Sequence, residues 1–107
     1  MYFDESINEH QSLIEYPATD DDRMGLIINF FLYSQPFAKL NIGEITQNWA
    51  NLQKHQLKHL IGLLIESNFF VVFSKRLSTQ FILKDDVRSE MISEEGYLGY
   101  KSKRNQA

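Results

Sequence analysis

The sequence predicts one small, mainly α-helical domain that carries a β-hairpin. Leu57, Leu60, Ile61, Leu64 and Ile65 recur at i, i+3, i+4, i+7 and i+8, the spacing of a helix that buries one side. Two runs rich in aromatic and β-branched residues, Phe69–Phe73 and Thr79–Lys84, stand close enough to pair as antiparallel strands. The 107 residues, 43% of them hydrophobic, suffice for one core and not for two ordinary domains. Apolar residues concentrate between Met24 and Leu83, which divides the chain into an acidic arm (1–19), a folded domain (20–84), and a short helix with a basic tail (85–107).

Taken in order, Ile7, Leu13 and Ile14 suggest a weakly patterned helical turn before Pro17. Asp20, Asp21 and Asp22 then precede a dense apolar stretch, and acids suit the positive end of a helix, so a buried first helix is expected over Asp21–Tyr33. Pro36 stops it by removing a backbone donor and disfavouring helical geometry just before it. Asn41 and Glu44 have capping-box spacing, with Ile42, Ile45 and Trp49 on one face of a short second helix that closes near Trp49 or Ala50. The third helix spans about 53–67. Its far side carries His55, His59, Gly62 and Glu66, with Lys58 and Gln56 on the shoulders, and Asn68 ends it in a left-handed conformation. The hairpin comes next, with Lys75 and Arg76 at its tip. Asp85 and Asp86 open a last short helix that closes near Gly96, and 97–107 reads as a loose tail made basic by Lys101, Lys103 and Arg104.

Composition removes several function classes. There is no cysteine, hence no disulfide, thiolate nucleophile or Cys-based zinc site. The N-terminus lacks the pattern of a signal peptide and no apolar run approaches the ~20 residues that span a bilayer, so a cytoplasmic location without membrane association is the default expectation. No Gly-rich phosphate loop, nucleophile elbow or apolar carboxylate pair is present, so neither an enzyme nor a cofactor is expected. The net charge of −3 is unevenly spread. Residues 1–22 hold seven acids and no Lys or Arg, whereas residues 50–84 set Lys54, Lys58, Lys75, Arg76 and Lys84 against Glu66 alone. An acidic arm and a basic segment of this kind either attract each other or face different partners.

The order helix, short helix, tight break, amphipathic helix, hairpin resembles the winged helix-turn-helix superfamily, with residues 45–84 as its characteristic stretch. Ile45, Trp49-Ala50, Leu52, then Leu57, Ile61 and Leu64, then Ser67 to Phe70 fill positions comparable to the family's apolar pattern. The resemblance implies a DNA-binding transcriptional regulator whose third helix enters the major groove while the wing touches backbone or minor groove. By position, Lys54, His55, Lys58 and His59 are then the groove-facing residues, and Lys75 and Arg76 the wing tip. Side-chain chemistry agrees, because cations and imidazoles meet phosphates and base edges, and Gln53 and Gln56 add amides able to read adenine. Double-stranded DNA is thus the expected partner. A homodimer or protein partner would use the acidic arm, the first helix or the last helix, since one small module has limited contact area. The alternative is a winged-helix interaction subunit or adaptor that never touches DNA.

Other readings are weaker. His55 and His59 have the i, i+4 spacing of a metal pair, but Gln56 stands where a zinc protease needs its Glu, no third ligand is evident and Lys58 repels cations. Phe69, Phe70, Phe73 and Phe81 are expected to pack the hairpin on the helices rather than to stack bases, and Trp49 to lie in the core. Asp20–Asp22 lacks EF-hand spacing and reads as helix capping.

Overall fold

The computed structural model describes residues 13–75 and 78–105. Among the described residues five helices and a small antiparallel sheet share one core, a mainly α fold as the sequence predicts. Helix α1 (Asp20–Leu32) begins one residue earlier than expected because Thr19 is its cap: the hydroxyl accepts from the Asp22 N–H at 3.1 Å. Its Met24, Ile27, Ile28 and Phe31, spaced at i, i+3, i+4 and i+7, are all buried.

Strand β1 (Leu40–Asn41) has no counterpart in the sequence reading; two residues carry no periodicity to detect. It exists because β3 offers a free edge, pairing Leu40 with Phe81 and Asn41 with Gln80. Asn41 also caps helix α2 (Ile42–Ile45) through the expected box: the Glu44 N–H donates to Asn41 Oδ1 at 2.8 Å and the Asn41 N–H donates to Glu44 Oε1 at 2.9 Å. The helix ends at Ile45, well short of Trp49. Thr46 donates its hydroxyl back to the Ile42 carbonyl, and the Asn48–Ala50 backbone is engaged elsewhere.

What engages it is Ile14. Its N–H donates to the Asn48 carbonyl at 2.9 Å and its own carbonyl accepts from the Ala50 N–H at 2.8 Å, a parallel bridge to Trp49. The helical turn expected around Leu13 and Ile14 is therefore an extended strap, and Tyr16 lies against Trp49 with ring centroids 6.3 Å apart. Ile7 and the rest of 1–12 lie outside the described residues.

Asn51, at φ 35°, turns the chain into helix α3 (Lys54–Ser67), which ends at Asn68 with φ 63°, the left-handed cap read from the sequence. Leu60 and Leu64 are fully buried and Leu57 and Ile61 half-buried, but Ile65, expected in the buried stripe, is exposed at its edge. Strands β2 (Phe70–Lys75) and β3 (Ser78–Leu83) pair antiparallel through Lys75 and Ser78, closing the sheet in the order β1-β3-β2. Arg76 and Leu77 lie outside the described residues. Three of the four hairpin aromatics pack inward as expected: Phe70 and Phe81 are buried and Phe69 packs against the core, with Phe70 tilted against Phe31 at 5.0 Å and edge-on to Phe81 at 6.0 Å. Phe73 does not: paired with Gln80, it falls on the opposite sheet face from Phe81 and lies beneath the Lys39 ammonium.

Helix α4 (Asp85–Ser93) closes through Glu95 and Gly96, both left-handed at φ 66° and 113°. The loose tail expected beyond Gly96 is instead ordered: Tyr97–Asn105 form helix α5. Tyr97 and Tyr100 both contact the Phe69 ring edge-on, at 6.4 and 5.8 Å, and Tyr100 is buried. Lys101 pairs with Asp21, and Lys103 with Glu94 at 2.9 Å, so cations read as a free tail tie the helix down. Nine residues with one fully buried side chain give too thin an apolar pattern to be seen in sequence alone.

Candidate nucleic-acid interface

Helix α3 rests on α1 and on the sheet through its Leu60 and Leu64 side. Rotation by ~100° per residue then directs the opposite side to solvent, and His55 and His59 are exposed there with Lys58 at its shoulder; Lys54, in line with Leu57 and Ile61, is exposed in the first turn. Gly62 and Glu66 continue the same side toward the C-terminus, with exposed Ile65 at one edge. The described part of the helix thus carries two lysines and two imidazoles against one carboxylate on an open surface.

The two glutamines have a different occupation. Gln53 precedes the helix as its cap residue, and its backbone N–H donates to Gln56 Oε1 at 2.7 Å. Gln56 is half-buried, and its amide oxygen already accepts one hydrogen bond at the N-terminal end of α3. Gln53 stays exposed at the start of the helix. Lys75 is the last residue of β2, paired with Ser78, which puts its backbone at the end of the hairpin; Arg76, expected from the sequence at the same tip, lies outside the described residues.

One contact was not legible in the sequence. His59 Nε2 donates to Asp20 Oδ1 at 2.7 Å, and the Arg23 guanidinium donates to the same oxygen at 2.5 Å. The N-terminus of α1 therefore borders the α3 surface and supplies a carboxylate to one of its imidazoles. The hydrogen bond from His59 first, and that from Arg23 second, hold the Asp20 carboxyl below its ordinary value of 3.8. A depressed carboxylate contributes stability that is present above the unfolded value and disappears as pH falls through the folded one. Replacing Asp20 with Asn is expected to flatten that part of the acid limb in melts taken between about pH 2 and pH 5. The effect is small, since both His59 and Asp20 side chains are half exposed. An acid limb of unchanged slope would show that the pair does not persist in solution.

Among the described residues no three His, Cys, Asp or Glu side chains cluster as a metal site requires, and no helix is long and apolar enough to cross a membrane. No protein-family model, curated protein or solved structure matches the chain.

Proposed function

We propose that the chain is a winged helix-turn-helix DNA-binding regulator, with α3 as the helix that enters the major groove and the β2–β3 hairpin as the wing. The observation that carries the reading is the open side of α3, where His55, Lys58 and His59 are exposed, with Lys54 exposed in the first turn beside them. The arrangement around it supports the same reading: helix, short strand, short helix, second long helix and hairpin, with the short strand completing the sheet in the order β1-β3-β2. Such a helix presents cations to phosphates at its margins and imidazoles to base edges at its centre.

The test is a salt-titrated binding assay on selected genomic fragments. Each lysine that neutralises a phosphate adds about 0.9 to the slope of log affinity against log salt, so Lys54→Ala with Lys58→Ala should weaken binding to all sequences and reduce that slope by roughly two. Lys75→Ala with Arg76→Ala should act the same way through the wing, whereas His59→Ala should change sequence preference. Unchanged affinity in every variant would remove the assigned interface.

A second reading, an interaction subunit that does not bind DNA, is favoured by the position of Asp20. Its carboxylate stands against His59, Asp21 and Asp22 are next to it in the chain, and the chain is acidic overall. This reading predicts no retardation of DNA even at low ionic strength, where counterion release favours binding most.

A further inference from the structure

A groove runs along the side of α1 that faces away from the core, and the elbow between α4 and α5 forms its other wall. It consists of two adjoining hollows of about 420 and 250 Å³, which share Asn29, Glu95 and Gly96. Apolar side chains stand open along it: Leu98 is 75% exposed, Tyr33 91% and Ile92 56%, with half-buried Leu26 between them. On α1, Asp22, Leu26 and Asn29 fall on one stripe that its C-terminal cap Tyr33 continues, opposite the buried Met24, Ile27 and Phe31.

Its charge is of one sign. The ionisable carboxylates lining it are Asp21, Asp22 and Glu95, and no Lys or Arg lines either hollow. Asp21 is taken by Lys101, but Asp22 and Glu95 make no ion pair among the described residues. Half-buried Tyr97 lines the larger hollow; burial first, and the neighbouring Asp21 charge second, push its phenol up to about 12.

We propose that this groove docks an amphipathic helix of another protein, its apolar side lying over Leu26 and Leu98 and its flanking Lys or Arg residues meeting Asp22 and Glu95. The 13 residues of α1 make a wall of about 20 Å, the length of three to four turns of a partner helix. A second copy fits less well, because a two-fold contact through this face would set the same carboxylates against each other. The groove lies on the side of α1 away from α3, so the inference stands independently of DNA binding, and both surfaces can be occupied together.

The experiment titrates the 15N-labelled 107-residue chain with a synthetic helix-forming peptide that has leucines at i, i+3, i+4 and i+7 and lysines elsewhere. A matched peptide with glutamates in place of the lysines is the control. Amide shifts are expected at Leu26, Asn29, Gly96 and Leu98, with the glutamate peptide inert. Leu98→Asp should weaken the lysine peptide about thirtyfold, and Asp22→Lys or Glu95→Lys about tenfold. Leu98 and Glu95 are exposed, so their variants should melt like the parent chain, whereas Asp22→Lys also reverses a first-turn charge of α1 and is expected to melt somewhat lower. Equal binding of the two peptides, shifts centred on α3, no shifts at millimolar peptide, or self-association in sedimentation that Leu98→Asp abolishes would each overturn the assignment.

Discussion

Gly99→Ala is expected to destabilise the fold by about 3 kcal/mol and to lower the melting temperature by about 12 °C or more. A β-carbon at that position would stand 1.8 Å from the Glu94 carbonyl oxygen and 3.0 Å from its carbon. The obstruction is backbone, so no side-chain rotation relieves it. Either the elbow between α4 and α5 opens or α5 lifts away, and both routes draw Tyr97 and Tyr100 off the Phe69 ring that anchors them. Since Tyr100 is 3% exposed, lifting α5 would also return one of the larger core side chains to water. Gly62→Ala provides the contrast within the same molecule. A β-carbon there meets nothing within 4 Å in the interior of α3, so that change should stabilise by about 0.5 to 1 kcal/mol through helix propensity alone. Thermal melts of the two variants beside the parent decide the matter. A Gly99→Ala variant melting within about 2 °C of the parent would show that α5 is not packed as described.

Arg88→Ala comes next, with an expected loss of about 2 to 3 kcal/mol. Helix α1 ends without a basic residue in its last turn and with carbonyls that have no partner within the helix. Arg88, from α4, supplies the donors: one guanidinium nitrogen donates to the Phe31 carbonyl at 2.8 Å and another to those of Leu32 and Ser34, each at 3.1 Å. The positive charge also lies at the negative end of the α1 dipole. A planar fork can serve three acceptors at once in a way that a single ammonium cannot. Arg88→Lys is therefore expected to recover roughly half of the loss, chiefly the charge at the helix terminus. Urea titrations read the difference through the midpoint at constant slope. Equal midpoints for the alanine variant and the parent would mean that water caps the helix as well as Arg88 does.

Much of the candidate interface was readable from the chain because its signals are local. Helix α3 announces itself by the spacing of Leu57, Leu60, Ile61 and Leu64, and that spacing assigns His55 and His59 to the outward side and Lys58 to its shoulder, where they are exposed; Lys54 is placed by the resemblance and is exposed in the first turn. Gln56 shows the limit of this. Its type suited base reading, but a position three residues past the cap gives its oxygen a nearer partner in the Gln53 N–H. The His59–Asp20 contact joins residues 39 apart in the chain, and no periodicity reports which acid of an aspartate run will meet which histidine.

The caps and core stripes were determined by the sequence itself. Asn41 with Glu44, Asn68 at the end of α3, the buried side of α1 and the inward aromatics of the hairpin each arise from residues within a few positions of one another, whose geometry is set by the local backbone. Only the tertiary structure decided the rest. Strand β1 needs the edge of β3, the Ile14 strap needs the Trp49 backbone, Arg88 needs the end of α1, and α5 needs Phe69 for Tyr97 and Tyr100 to pack against. Each of these forms because a partner distant in sequence offers an unsatisfied backbone group or an apolar surface, and which partner is near depends on how the whole chain packs.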